Sequence, residues 1–144
     1  MYQVLDKGGF MKKDHLDMIQ RVIDRMGNNS FLLKGWAVLV IVAIFTLAGE
    51  SKDISCVLFT IVPLVVFWGL DSYYLQLERK YRKLYDWVRK RNNKKIDFNM
   101  NPNQVKLNIE DSKNICFVNC LISKTEFLFY GTCIVTTILI YIFA

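Results

Sequence analysis

The chain has few of the residues on which most enzymes and metal sites depend. Among its 144 residues there is a single histidine, His15, and no second histidine, cysteine or carboxylate cluster lies near it at metal-ligand spacing. It has neither a glycine-rich phosphate loop nor a serine placed in a nucleophile elbow. These absences disfavour an enzyme or a metalloprotein, so we expect no catalytic residue, no metal and no cofactor.

Charge is missing from three long stretches of a chain that otherwise carries 19 Lys and Arg against 13 Asp and Glu. The apolar residues are bunched into runs at 31–48, 54–70 and 127–144, and only Lys34 places a charge inside one of them. Each run approaches the roughly 20 residues that a helix needs to cross a hydrocarbon core of about 30 Å. We therefore predict an all-α membrane protein with three transmembrane helices.

The distribution of lysine and arginine predicts how these helices are oriented. Basic residues are frequent before the first run and most frequent between the second and third, whereas the connection GESKD holds one lysine between two acids. By the positive-inside rule, the N-terminus and residues 71–126 lie in the cytoplasm, and GESKD and the C-terminus lie outside.

The segments beside the runs are predicted to be helical as well. Apolar residues at helical spacing predict an amphipathic helix in the lead, which ends at Gly27 before a tight turn into the first span. After the second run, apolar residues alternate at steps of three and four, which predicts a cytoplasmic stalk that packs on this lead or on copies of itself. This seam consists of Tyr74, Leu77, Tyr81, Leu84 and Val88.

Beyond Arg91 the chain becomes rich in asparagine. Pro102 interrupts any helix there, and the alternation in VKLNI predicts a small strand or hairpin in an irregular loop. Ser123 and Glu126 have the spacing of a capping box, so the third span is predicted to begin near residue 124. The predicted organisation is a cytoplasmic amphipathic helix (1–29), two spans of which the second extends into the cytoplasm (30–91), a cytoplasmic loop region (92–123) and the third span (124–144).

The basic part of the second helix is a candidate ligand site. Its lysines and arginines are interleaved with Tyr81, Tyr85 and Trp87, a mixture that suits phosphate contacts together with base stacking. The alternative is juxtamembrane charge that fixes the topology and attracts anionic lipid. The candidate nucleotide- or phosphate-binding residues are Arg82, Arg89, Lys90, Arg91, Lys94 and Lys95.

Inside the spans, hydroxyl groups and a proline are further candidates. Thr132 and Thr136 share one face of the third span and either line a pore in an oligomer or form helix contacts. Pro63 removes a backbone hydrogen bond in the middle of the second span, which predicts a kink and a candidate gating point.

Lys34 lies about one helical turn beyond the cytoplasmic start of its span. Its side chain either extends back to the interface or pairs with Asp71 and Glu126, which end the second span and open the third at the same predicted depth. In the second case the three residues form an intramembrane charge layer.

Several blocks of the chain resemble a known group of proteins. HLDMIQRVIDRMGNNSFLLKGWAV, FWGLDSYYLQLERKYRKLYDWVR, IDFNM and SKTEFLFY are similar to the small multi-pass membrane effectors of bacterial nucleotidyltransferase-linked antiphage defence systems, of the CBASS or Hailong kind. The resemblance implies an oligomeric, channel-like effector that depolarises the bacterial inner membrane. A nucleotide or single-stranded oligonucleotide made by a partner nucleotidyltransferase would control it.

Two functions therefore stay open. The first is a regulated pore or toxin of abortive infection, built from several copies of the chain because three spans are too few to enclose a water-filled channel. The second is a non-conducting membrane scaffold or partner subunit, whose basic helix docks a protein or anionic lipid.

Overall fold

The computed structural model describes residues 2–51, 54–92 and 97–143. Within these ranges the chain forms five α-helices and two 3-10 segments, and no strand. The elements are α1 (Tyr2–Ser51), a 3-10 segment (Ile54–Thr60), α2 (Ile61–Lys90), a 3-10 turn (Pro102–Gln104), α3 (Ile109–Ile115), α4 (Phe117–Leu121) and α5 (Lys124–Phe143). The predicted all-α class is confirmed for this part of the chain.

Three helical stretches are long and apolar enough to cross a membrane, namely Gly9–Glu50, Ser55–Lys90 and Lys124–Phe143. In the most apolar window of each, only 11%, 28% and 17% of the residues are buried inside the chain. Such wide apolar faces are unfavourable in water, so lipid or other protein must cover them. This agrees with the predicted three-span membrane protein.

α1 is one continuous helix of 50 residues, about 75 Å long at 1.5 Å per residue. The predicted helix end at Gly27 and the turn after it are therefore wrong. The reason is tertiary packing: Ile19 and Ile23 pack on α2 before the predicted break, and Ala37 packs on α2 after it, so both parts of α1 are held along the same helix.

The second span begins as a 3-10 segment and becomes α-helical at Ile61. Pro63 is thus the third residue of α2, in the first turn, where backbone N–H groups have no acceptor within the helix. The irregularity in this span is the 3-10 geometry just before the proline, and the kink and gating point at Pro63 stay a prediction. From Ile61, α2 runs without interruption to Lys90.

Two apolar clusters join the helices at different levels. The lower cluster consists of Ile19 and Ile23 from α1 with Leu84 and Val88 from α2. The seam of α2 therefore packs on the lead of its own chain, which is one of the two predicted arrangements. The upper cluster consists of Ala37, Leu64 and Tyr130, from α1, α2 and α5. α1 and α2 are consequently antiparallel.

The asparagine-rich connection is built from side-chain turns instead of a strand. Asn101 N–H donates to Asn99 Oδ1 at 3.0 Å, and Asn103 N–H donates to Asn101 Oδ1 at 3.0 Å. The predicted strand does not form in the described residues of VKLNI, because short polar side chains and Pro102 satisfy the backbone locally. α5 begins at Lys124, as predicted.

Candidate functional site

Side chains from all three helices that are long and apolar enough to cross a membrane meet at Lys34. Its Nζ donates to Asp71 Oδ2, to Glu126 Oε1 at 3.0 Å and to Ser30 Oγ at 3.1 Å. The lysine side chain is 22% exposed, whereas those of Asp71 and Glu126 are 0% and 3% exposed. The structure thus brings the three residues of the predicted charge layer together, and the lysine pairs with the carboxylates instead of extending to the surface.

Tyr130 closes one side of this Lys34–Asp71–Glu126 cluster. Its hydroxyl donates to Asp71 Oδ2 at 3.1 Å, and the residue is fully buried. Its ring stacks on Trp68 with centroids 6.0 Å apart, and Trp68 Nε1 donates to the carbonyl of Leu121 at 3.0 Å. Because Tyr130 also belongs to the upper apolar cluster, the ionisable groups lie directly beside that cluster.

Two oxygens of the cluster have no hydrogen-bond donor. They are Asp71 Oδ1 and Glu126 Oε2, both buried. One ammonium group therefore faces two carboxyl groups, and one oxygen of each is unsatisfied. Burying a carboxylate without full compensation costs several kcal/mol, so this arrangement needs a chemical explanation.

Glu126 does not serve the helix cap that its spacing predicts. Its carboxyl group contacts Lys34, while Ser123 Oγ lies 3.4 Å from Thr125 Oγ1. The α5 N-terminus still begins where the capping motif predicts. The sequence predicted the right start of α5, and it also predicted the contact of Glu126 with Lys34. The capping contact predicted between Glu126 and Ser123 is not part of the structure.

Thr132 and Thr136 lie on the outer face of α5 and are exposed. Their hydroxyls donate to carbonyls of their own helix, Thr132 to Leu128 at 2.8 Å and Thr136 to Thr132 at 2.8 Å. They line a shallow groove together with Gly131 and Val135. Within one chain these hydroxyls therefore face outward, so any path that they line lies between copies.

The candidate phosphate-binding residues do not form one pocket. Arg82 pairs with Glu78 at 2.7 Å, and Arg89 lies 3.4 Å from Asp86. Lys90 is exposed and has no acidic partner among the described residues.

Arg91 is held differently from its neighbours in this basic stretch. Its guanidinium lies 3.8 Å from the ring centroid of Trp87 and 3.7 Å from Asp97. The remaining candidates, Lys94 and Lys95, lie outside the residues that the structure describes.

Two further basic residues of α2, Arg79 and Lys83, hold the connection to α5. Arg79 donates to the carbonyl of Asn114 at 2.6 Å, and Lys83 pairs with Asp111 at 2.6 Å. Burial raises the pKa of the Cys120 thiol, and Arg79, 3.6 Å from its sulfur, partly offsets that rise. The signal for this role is the one-turn spacing of Arg79 and Lys83, which places both on one face of α2.

His15 is buried in the contact between the lead of α1 and the connection. Its ring centroid lies 5.4 Å from that of Phe98, and neither ring nitrogen has a hydrogen-bond partner. Phe98 has a positive φ of 53°, an uncommon conformation for a residue with a side chain. No cluster of three or more potential metal ligands occurs in the described ranges.

Comparisons of the chain with protein families, with curated proteins and with solved structures give no match. What the Lys34–Asp71–Glu126 cluster does must therefore be inferred from its own chemistry. Three features define it: burial between apolar helices, one cation facing two carboxyl groups, and partial exposure on the lysine side alone.

Proposed function

We propose that the chain is a bacterial inner-membrane effector of antiphage defence, which assembles from several copies into a channel-like complex and depolarises the membrane. The observation that carries this proposal is the buried cluster of Lys34, Asp71 and Glu126 between three apolar helices. Ionisable groups within spans are costly, and proteins keep them mainly where ions or protons move.

Assembly from several copies follows from the size of the unit. Three helices packed around a filled core leave no room for a water-filled path, so a path must lie between copies. The groove on α5 that contains Gly131, Thr132 and Thr136 is the surface on which we place this contact. Small and hydroxyl-bearing residues allow close approach of helices in a membrane.

The cluster lies at the predicted cytoplasmic end of the spans. In an assembly, each copy would therefore contribute one Lys34–Asp71–Glu126 cluster near the entrance of the path between the copies. Since the lysine is the exposed side of each cluster, a ring of Lys34 side chains would act on the ions that enter, as rings of charged side chains do in other channels.

Control by a nucleotide or oligonucleotide is assigned to the basic stretch of α2. Surface ion pairs such as those of Arg82 with Glu78 and Arg89 with Asp86 contribute only about 0–1 kcal/mol each. A polyphosphate can therefore compete for both arginines, and Lys90 adds a cation without an acidic partner among the described residues.

The central experiment is expression of the full chain in bacteria loaded with a potential-sensitive dye, with and without phage infection. Loss of membrane potential, together with a detergent complex whose mass corresponds to several chains, would support the channel. A monomer by mass and normal potential in both conditions would contradict it.

Ligand control is tested by replacing three cations at once. Arg82→Gln, Arg89→Gln and Lys90→Gln together should weaken binding of ATP or of a mixed-sequence single-stranded DNA oligomer to the purified chain by at least about tenfold. The matched control removes three exposed cations from α1: Lys13→Gln, Arg21→Gln and Arg25→Gln. Equal loss of binding in both triple variants would show that the α2 stretch is not the sensor.

A non-conducting partner subunit is the second candidate. It is favoured by the observation that Arg82, Arg89 and Arg91 already have partners within the chain. In that case α2 would dock a protein or anionic lipid, and the dye would report an unchanged potential during infection.

A further inference from the structure

We infer that the cluster is a proton-binding site, in which Glu126 carries a proton and donates it to Asp71 while Asp71 remains paired with Lys34. This inference goes beyond channel activity, and it stands whether or not the assembled chain conducts ions. The ligand is a single proton taken from water on the side of the membrane that Lys34 faces.

The balance of charge gives the first reason. With both carboxyl groups ionised, the cluster would hold one positive and two negative charges, with Asp71 0% and Glu126 3% exposed. A surplus buried charge between apolar helices is strongly unfavourable. One bound proton leaves an ion pair and a neutral acid, and the cluster becomes neutral overall.

The count of hydrogen-bond donors gives the second reason. The three N–H groups of Lys34 are directed to Ser30, Asp71 and Glu126, and the only O–H of Tyr130 is directed to Asp71 Oδ2. No donor remains for Asp71 Oδ1 or Glu126 Oε2. Both carboxyl groups accept from the same Lys34 Nζ and are therefore neighbours, so a proton shared between them supplies the missing donor to both.

The two carboxyl groups differ in how well their negative charge is stabilised. Asp71 Oδ2 accepts from both Lys34 and Tyr130, whereas Glu126 accepts only from Lys34, at 3.0 Å. Hydrogen bonds to the charged form favour that form. Asp71 therefore keeps the charge, and Glu126 binds the proton.

A metal cation fits the same place poorly. Na⁺ or Ca²⁺ in proteins takes about six oxygen ligands, and the cluster offers two unsatisfied oxygens beside a fixed ammonium group. The ammonium would repel a second cation at this distance. A proton needs no coordination shell, so it alone matches both the charge and the geometry.

The groups that face Glu126 are few. They are Lys34 from α1, Asp71 from α2, Tyr130 from its own helix and, farther away, the buried Cys120 thiol of α4 beside Arg79. Within the Lys34–Asp71–Glu126 cluster and Tyr130, Lys34 is the partly exposed member, at 22% of its side chain, so the proton enters and leaves along the lysine.

Infrared difference spectroscopy of the purified full chain in lipid nanodiscs, recorded while the pH is stepped, tests the inference. We expect a protonated-carboxyl C=O band that disappears as the pH rises, with release of about one proton per chain. Glu126→Gln should abolish the band. Glu78→Gln, which neutralises the glutamate paired with Arg82 outside the cluster, should leave it unchanged.

Several results would overturn the inference. A band that persists in Glu126→Gln would place the proton elsewhere, and no band at any pH would indicate an ionised pair bridged by water. A transition that moves with Na⁺ concentration at fixed pH would indicate a metal cation. If Glu126→Gln does not fold, Asp71→Asn provides the test: Lys34 then faces Glu126 alone and favours its ionised form, so the band should disappear at a lower pH than in the unchanged chain. A band with an unchanged pH dependence would contradict the inference.

Discussion

The ammonium group of Lys34 holds side chains of α1, α2 and α5 at one point. Because its partners Asp71 and Glu126 are buried, the lysine cannot be removed without leaving at least one carboxylate uncompensated. Breaking a buried ion pair by removing one partner typically costs about 3–5 kcal/mol, far more than the loss of an exposed pair. At the scale of single residues, this is the polar contact that joins the three helices, beside the upper apolar cluster that also joins them.

We predict that Lys34→Met lowers the free energy of unfolding in detergent by about 3 kcal/mol. Lys34→Met combined with Asp71→Asn should recover most of that loss, because no unpaired charge remains. Thermal unfolding followed by circular dichroism measures both effects. The control is Lys13→Met, the same change at an exposed position of α1, and a Lys34→Met variant as stable as this control would mean that the pair contributes nothing.

The sequence predicted part of this cluster because Lys34, Asp71 and Glu126 all lie at the same end of their apolar runs. Their equal depth in the membrane follows from the sequence alone, because Lys34 lies near the start of the first run, Asp71 follows the second and Glu126 precedes the third. Tyr130 and Trp68 were not predicted, because their contacts depend on how each helix is rotated about its axis. Periodicity does not fix that rotation when a span is apolar all round.

At the scale of elements, the continuity of α1 through Gly27 is the main difference from the sequence prediction. Glycine followed by two asparagines is a strong local stop signal, yet the packing of Ile19 and Ile23 on α2 before it, and of Ala37 after it, overrides it. Gly27 lies where α1 passes α2, since a Cβ atom there would be 3.9 Å from Glu78 Oε2. That is an ordinary contact distance, so the position accepts a methyl group.

We predict that Gly27→Ala raises the free energy of unfolding by about 0.5–1 kcal/mol, because alanine favours the helix and restricts the unfolded chain. Gly35→Ala is the matched control, since a Cβ there meets no atom within 4 Å and should show the intrinsic gain alone. Denaturant unfolding gives the sign. The prediction is contradicted if Gly27→Ala destabilises the chain while Gly35→Ala stabilises it. That result would indicate a left-handed backbone conformation at Gly27, and α1 would then be two helices instead of one.

At the scale of the whole molecule, the chain consists of two stacked levels joined by the charged cluster. The lower level contains Ile19, Ile23, Leu84 and Val88 together with the connection to α5, and the upper level contains the apolar parts of the three spans. The spans and the helical class followed from composition, since long uncharged runs leave few alternatives. The turns of the connection did not, because asparagine satisfies the backbone in several equivalent ways.

We predict that the lower level lies in the cytoplasm and that the C-terminus lies outside, as the positive-inside rule requires. Green fluorescent protein fused to the N-terminus should fluoresce in bacteria, and alkaline phosphatase fused to the C-terminus should be active. The reciprocal fusions serve as controls. Fluorescence from a C-terminal green fluorescent protein fusion would indicate either the opposite orientation or one span fewer.

The unbroken α1 extends to unequal lengths on the two sides of the charged cluster. Measured from Lys34, where α1 is tied to α2 and α5, the arm toward Tyr2 is about 48 Å long and the arm toward Ser51 about 26 Å. Because Ile19 and Ile23 of the longer arm pack on Leu84 and Val88, this arm cannot swing about Lys34 independently of α2.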